Sequence, residues 1–273
     1  KFKCPLVIRF NGTDAYFCKM ERRKQKKKNF WFEKLALQGA DHLVSVSQFT
    51  ADETRKIFSF KKDIAIIPNA VNTEVFKPKP NVTKDAPFIL YFGTLIRKKG
   101  VLEIPQIFST VAAKNKDVKL ILAGNDVIDI RTGNSTWDLF KNLLNSKYTD
   151  RVKWLGAQPY GDVIDLMADA KVIILPSYAE ALPMTWIEAM AMEKAVVTSN
   201  IGWAKEVMID EETGFMVAPN NHKKYAGRVL QLLDDEEMRK QFGKKARERV
   251  ENYFSTQVVN KQNIQFYQHI IEK

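Results

Sequence analysis

The 273-residue sequence is short of cysteine, histidine and long apolar runs, and each shortage removes a class of protein. Two cysteines, Cys4 and Cys18, are too few for a disulfide scaffold, and neither belongs to a Cys-x-x-Cys or Cys/His grouping with metal-ligand spacing. A reducing compartment is the default for such a chain. No window approaches the roughly 18 uninterrupted apolar residues of a membrane span. The opening KFKCPLVIRF lacks the charged start, apolar middle and small-residue site of a secretory leader. The three histidines, His42, His222 and His269, fall outside the loops singled out below and read as packing or surface residues. What is present is apolar residue enough, 45%, for real cores in one or two globular domains.

Lys and Arg number 43 against 32 Asp and Glu, a net charge of +11, and more than half of it sits in Lys19 to Lys28, whose seven cations and one Glu sum to +6. Such a block is either a solvated face or an electrostatic contact. The residues after it include Phe30, Trp31, Phe32, Leu35 and Leu37, and cations beside aromatics suit an anionic bilayer surface over residues 19–37. The same aromatics equally fit the buried face of a helix. No zinc finger, RNP1-type or basic-zipper pattern accompanies the charge, so no specific nucleic acid partner is expected.

From residue 88 onward short apolar segments alternate with helical ones. Strands are expected at 88–92, 119–123, 152–155, 171–175 and 195–199, and helices at 100–114, 136–146, 162–170, 183–193, 203–209, 221–234 and 235–251. Short buried strands alternating with helices predict an α/β fold with a parallel, doubly wound sheet. Upstream, 6–10, 43–47 and 64–68 are three further strand candidates, half a sheet. Between the two parts lies KPKPNVTKDAP, with three prolines and few apolar residues, the composition of a linker. A three-strand piece ahead of a complete unit, opening at Lys1, leads to the expectation that the sequence begins part-way through a longer protein.

Ligands of open parallel sheets bind outside the carboxyl ends of strands, which directs attention to two loops. After 88–92 comes Gly93, Thr94, Leu95, Ile96, Arg97, Lys98, Lys99, Gly100, where the glycines permit close backbone approach and Arg97 and Lys99 can neutralise a dianion. An ordinary exposed basic turn would look the same. After 171–175, Glu180 and Glu188 stand eight residues apart around Pro183, which suits the first turn of a helix. Free amides at Met184, Thr185 and Trp186 would then attract an anion, and ionised carboxylates are strong acceptors for sugar hydroxyls. A solvated loop acid and a helix-surface acid need no function to stand at these positions.

The motifs SVSQFTADE (45–53), IPNAVNTEVFKP (67–78), GTLIRKKG (93–100), LPSYAEALPMTWIEAMAMEKAVVTSNIG (175–202) and TGFMVAP (213–219) together resemble a family 4 retaining glycosyltransferase of the GT-B fold, over most of the chain. The resemblance implies a partial N-terminal, acceptor-side Rossmann-like domain over 1–78, a linker at 79–87, a complete donor-binding Rossmann-like domain at 88–251, and a C-terminal helix at 252–273 that packs back on the first domain. It gives Glu180 the donor sugar, Glu188 the ribose, and Gly93, Thr94, Pro183, Met184 and Thr185 the diphosphate side. Lys99 takes the place of the family's phosphate-binding lysine, and Thr94 stands where the family usually has Arg, so either Arg97 covers the missing charge or phosphate binding is weaker. Asn11 stands where many relatives have a His, and with Asp14 would line the acceptor side.

The implied substrates are a UDP- or GDP-linked sugar and a glycan or lipid-linked acceptor used in cell-surface polysaccharide synthesis. No cofactor or metal is expected, in keeping with the lack of any Asp-x-Asp pair among 16 aspartates. The expected place is cytoplasmic, peripheral at the inner face of the plasma membrane. A sugar-nucleotide epimerase or phosphorylase on the same fold, or a nucleotide-sugar-binding fragment without turnover, remain alternatives.

Overall fold

A computed structural model describes residues 4–79 and 87–272. In the first unit, β1 (Val7–Phe10), β2 (His42–Ser45) and β3 (Ile64–Ile66) form a parallel sheet in that order, linked by α1 (Asp14–Met20), α2 (Lys27–Gly39) and α3 (Gln48–Phe58). The second unit runs through β4 (Phe88–Phe92), α4 (Ile104–Lys114), β5 (Lys119–Ala123), α5 (Thr136–Leu143), β6 (Val152–Trp154) and α6 (Tyr160–Asp169). It continues with β7 (Val172–Leu175), α7 (Met184–Ala191), β8 (Val196–Thr198), α8 (Ala204–Val207), β9 (Phe215–Met216), α9 (His222–Asp234) and α10 (Glu236–Tyr253). Its six strands are parallel in the order β6-β5-β4-β7-β8-β9. Every residue of β4 and β7 is buried, as parallel strands covered on both faces require.

That order decides where a ligand can sit. From β4 the chain proceeds to β5 on one side, and from β7 to β8 on the other, so the connections part company between these two neighbours. The crevice at such a switch point is the ordinary binding place of an open α/β sheet, and the loops leaving β4 and β7 are the two that the sequence singles out.

Several expected boundaries move for identifiable reasons. The helix expected from 100 starts only at Ile104, after 3-10 turns at Arg97–Lys99 and Val101–Glu103, because Gly100 between them is left-handed with φ of 68°. The helix expected to reach 146 stops at Leu143, followed by a 3-10 stretch at Ser146–Arg151. The two-residue strand β9 has no expected counterpart, being too short to show a period. The expected linker at 79–87 falls largely on 80–86, outside the described residues.

The chain returns to the first unit through α11 (Thr256–Ile271). Asn263 on it accepts from Arg9 at 3.2 Å, Phe266 meets His42 edge-on, and Val259 is buried with Val44 and Ile67. Farther along the helix Ile270 is buried, whereas Ile264, Tyr267 and Ile271 are exposed.

Helix α2 divides its aromatic residues between two environments. Phe30 stacks on Phe58 at 4.9 Å and Leu37 is buried, while Trp31, Phe32 and Leu35 are 60%, 69% and 57% exposed. The basic block before it divides as well: Lys19 pairs with Glu53 and Arg23 with Asp14 and Glu21. Among the described residues, Arg22, Lys24, Lys26, Lys27 and Lys28 have no carboxylate partner. No helix among the described residues is long and apolar enough to cross a membrane.

Candidate functional site

The loops after β4 and β7 are bonded to each other. The amides of Tyr178 and Ala179 donate to the carbonyl of Lys98 at 2.7 and 3.2 Å. A side chain added at Gly100 would overlap the carbonyl oxygen of Pro176. A Cβ at Gly93 would stand 3.6 Å from Lys99 Nζ and 3.8 Å from Thr185 Cγ2, so backbone, ammonium and helix start converge on one point. Gly93 holds φ of 127°, a region that favours glycine, and its amide donates to Ala123.

Helix α7 supplies the other wall. Trp186, Ile187, Ala189, Met190 and Ala191 are all buried, as in a helix enclosed by its neighbours. Glu188 is the polar exception and is half-buried. Pro183 lies just before the first helical residue, one position earlier than expected, and its carbonyl accepts from Trp186. Of the three amides expected to be free, Trp186 is thus engaged, and those of Met184 and Thr185 remain at the positive end of the helix.

Lys99 Nζ lies 3.5 Å from Glu180 Oε1, with both side chains largely sheltered, 23% and 13% exposed. Ser177 Oγ donates to the same Glu180 oxygen at 3.1 Å. Burial pushes the Glu188 carboxyl above its usual range, while the Tyr160 hydroxyl, donating at 2.8 Å, and the Lys99 charge pull it back. Glu180, Lys99, Glu188 and the two free amides are therefore one cluster. The sequence offered no signal for Tyr160, which lies 28 residues before Glu188 in another helix.

Arg97, expected to make good the charge missing at Thr94, is held on Asp129: Nε donates to Oδ1 and Nη2 to Oδ2, both at 2.8 Å. The Asp129 side chain is 1% exposed, and a buried carboxylate demands such a compensating fork. With Thr132 also donating, Asp129 is brought down to about 2. Thr94 offers its carbonyl to the Tyr91 hydroxyl at 2.9 Å. Of the two residues expected to line the acceptor side, Asn11 is exposed at the carboxyl end of β1 and accepts from Asn69 at 3.0 Å, whereas Asp14 is engaged by Arg23 at 2.7 Å.

The Asp129 pair has a measurable weight. A carboxyl depressed in the folded state stabilises the fold above its ordinary value of 3.8, and that stabilisation disappears as pH falls through about 2. Asp129→Asn is expected to cost roughly 2 kcal/mol at pH 6, a difference that narrows between pH 4 and pH 2. Denaturant unfolding of both proteins at pH 6 and pH 3 checks this; a pH-independent gap would contradict it.

Beside the crevice a second hollow of about 710 Å³ is walled by Arg22, Arg97, Lys98, Asp129 and Arg131, with Arg131 donating to the Glu21 carbonyl. The wider hollow of about 1080 Å³ between α4 and α9 lies away from the cluster, lined by Gln106, Thr110, Asn221 and His222.

Comparison with known proteins agrees with this layout. The pattern described as "Glycosyltransferase Family 4" matches residues 1–75. Capsular polysaccharide biosynthesis glycosyltransferase CapM of Staphylococcus aureus is 30% identical over 169 residues, 62% of this chain and 42% of that protein. N-acetyl-alpha-D-glucosaminyl L-malate synthase of Bacillus anthracis is 24% identical over 86% of this chain and 61% of its own length. The chain thus spans about two fifths to three fifths of these relatives. Among solved structures, sucrose-phosphate synthase of Thermosynechococcus elongatus superposes with a TM-score of 0.85 at 24% identity, over 100% of this chain and 69% of that one. Anabaena HepE in complex with UDP and glucose gives 0.79 at 20%, over 97% and 71%. Both share the GT-B fold with this chain. The pattern described as "Glycosyl transferases group 1" covers residues 72–249, well over half the sequence and the whole crevice just described, and the chain belongs to that family.

Proposed function

We propose that the chain carries the donor site of a retaining glycosyltransferase that moves a sugar from a UDP- or GDP-linked donor to a glycan or lipid-linked acceptor in surface polysaccharide synthesis. The observation that carries the reading is the gathering of Lys99, Glu180, Glu188 and the free amides of Met184 and Thr185 at the switch point between β4 and β7. The named relatives support it: HepE was solved with UDP and glucose, and CapM is assigned to capsular polysaccharide biosynthesis.

In this reading the diphosphate lies between Gly93, Lys99 and the start of α7, ribose hydroxyls donate to Glu188, and sugar hydroxyls donate to Glu180. The bond from the anomeric carbon to the phosphate oxygen breaks with its electron pair going to phosphate. The acceptor oxygen attacks from the same face, giving retention, and its proton passes to the departing phosphate oxygen. Lys99 and the two amides receive the growing negative charge from fixed positions, which lowers the barrier because nothing must reorganise. No metal and no protein base enters this scheme, and chelator should leave turnover unchanged. Incubation with UDP- and GDP-linked sugars and a glycan or lipid-linked acceptor tests the reading. Release of nucleoside diphosphate with a new glycosidic product supports it; donor isomerisation without release, or binding without turnover, contradicts it.

The raised carboxyl of Glu188 gives a pH signature. Only the ionised form accepts two ribose hydroxyls, so UDP affinity is expected to fall as pH drops through a point above the ordinary 4.5 of Glu. Glu188→Gln should bind less tightly at pH 7.5 by about tenfold and lose that pH dependence. Calorimetry at pH 7.5 and 5 reads both; a variant with unchanged affinity removes Glu188 from the ribose.

The exposed Trp31, Phe32 and Leu35 beside five unpaired cations favour attachment to an anionic bilayer, with the protein peripheral at the cytoplasmic face. Reversing Lys26, Lys27 and Lys28 to Glu is expected to weaken co-sedimentation with anionic vesicles by at least about tenfold. Retention of binding, or equal binding to neutral vesicles, contradicts the attachment.

A further inference from the structure

We infer that Tyr16, Ser47 and Thr50, all on the first unit, are positioning residues that latch the Glu180 loop of the second unit. The Tyr16 hydroxyl donates to the Glu180 carbonyl at 2.6 Å. Ser47 Oγ and Thr50 Oγ1 lie 2.8 and 3.2 Å from the next carbonyl, that of Ala181. Their exposures are 0%, 1% and 0%, so these bonds form away from water. A buried carbonyl needs a partner, and here two successive ones find theirs across the boundary between units rather than in their own sheet.

The latch is braced on both sides. Helix α1 is fixed at its start by Thr13, which accepts from the Tyr16 amide, and by Glu33, which accepts from the amides of Asp14 and Ala15 at 2.5 and 3.0 Å. The start of α3 is capped from the other unit, because Glu206 accepts from the amides of Gln48 and Phe49, both at 2.7 Å. The Phe49 ring covers Gly202, where any side chain would overlap it, and meets Tyr16 and Trp203 edge-on. Tyr16 is therefore a rigid post, and its hydroxyl sets the height of the Glu180 backbone. The carboxylate of that residue is already tied to Ser177 and Lys99, so the side chain cannot adjust freely if the backbone shifts. Displacement by about 1 Å is enough to lower a rate severely. The two units thus complete the site only when docked: the second supplies the groups, and the first holds one of them in place.

What Glu180 does rests on the function proposed above; the existence of the latch does not. Tyr16→Phe keeps the ring and its edge contacts and removes one hydrogen bond. Amide hydrogen exchange across residues 177–183 is expected to quicken about fivefold, with exchange in β4 and β7 unchanged. With whichever UDP- or GDP-linked sugar releases diphosphate, kcat should fall by a similar factor while the affinity for free UDP stays within twofold. In a Glu180→Ala background the same substitution should have no further effect on kcat, since there is no carboxylate left to position. Unchanged exchange in 177–183 overturns the latch, and an equal loss of kcat in both backgrounds overturns the positioning role. If the parent protein neither binds UDP nor releases diphosphate, the proposed function fails, and the exchange experiment still decides the latch.

Discussion

Lys99→Ala is expected to lower turnover by about 10²- to 10³-fold, the usual loss when one fixed group that receives transition-state charge is removed. Three observations single out this lysine. Its ammonium lies 3.5 Å from Glu180, it is near enough to Glu188 to draw that carboxyl back down, and it stands 3.6 Å from the Cβ position of Gly93. With Arg97 committed to Asp129, Lys99 is the cation of the β4 loop that faces the crevice. Its pair with Glu180 is too long for a strong hydrogen bond, so folding stability should change by less than about 1 kcal/mol. The neighbouring lysine supplies the control: Lys98 Nζ lies over the Phe17 ring at 4.2 Å, and Lys98→Ala should leave turnover within about threefold. Steady-state kinetics and denaturant unfolding of both variants measure the contrast. Equal losses would mean that general positive charge, not position, matters.

Gly100→Ala carries the second large effect, because the penalty has two parts that the fold can separate. At φ of 68° a side chain costs about 1 kcal/mol by itself, and here the new methyl would also overlap the Pro176 carbonyl, whose backbone cannot rotate away cheaply. A total of about 3 kcal/mol or more is expected, lowering Tm by roughly 10 °C. Gly133 has nearly the same φ, 75°, with nothing within 4 Å of its Cβ position, so Gly133→Ala should show only the conformational part, about 1 kcal/mol. The overlap at Gly100 forces the β4 and β7 loops apart, so this variant alone should also lose UDP affinity. Thermal unfolding and calorimetry on both variants test the argument, and similar behaviour would show that the loops are not in tight contact.

The sheet was legible because its central strands, β4 and β7, are buried on both faces and so read as the short unbroken apolar runs FILYF and VIIL. Helix α7 was legible for a local reason, Pro183 at its entrance. The identity of the relatives then rested on loops whose spacing is local, such as Glu180 and Glu188. What stayed hidden is nonlocal. Asp129 sits 32 residues from Arg97 in a polar excursion with no period, and Tyr16 lies 164 residues from the carbonyl it holds. No periodicity or turn signal encodes such pairings. Helix α2 shows a different shortfall: its composition fitted both a buried face and a membrane face, and the fold assigns Phe30 and Leu37 to the first while leaving Trp31, Phe32 and Leu35 outside.

A crystal structure of the chain soaked with UDP tests the central claim most directly. The account predicts the terminal phosphate within hydrogen-bond distance of the Met184 and Thr185 amides and of Lys99, with the ribose hydroxyls on Glu188. UDP lodged instead in the neighbouring hollow, against Arg22, Lys98 and Arg131, would contradict it.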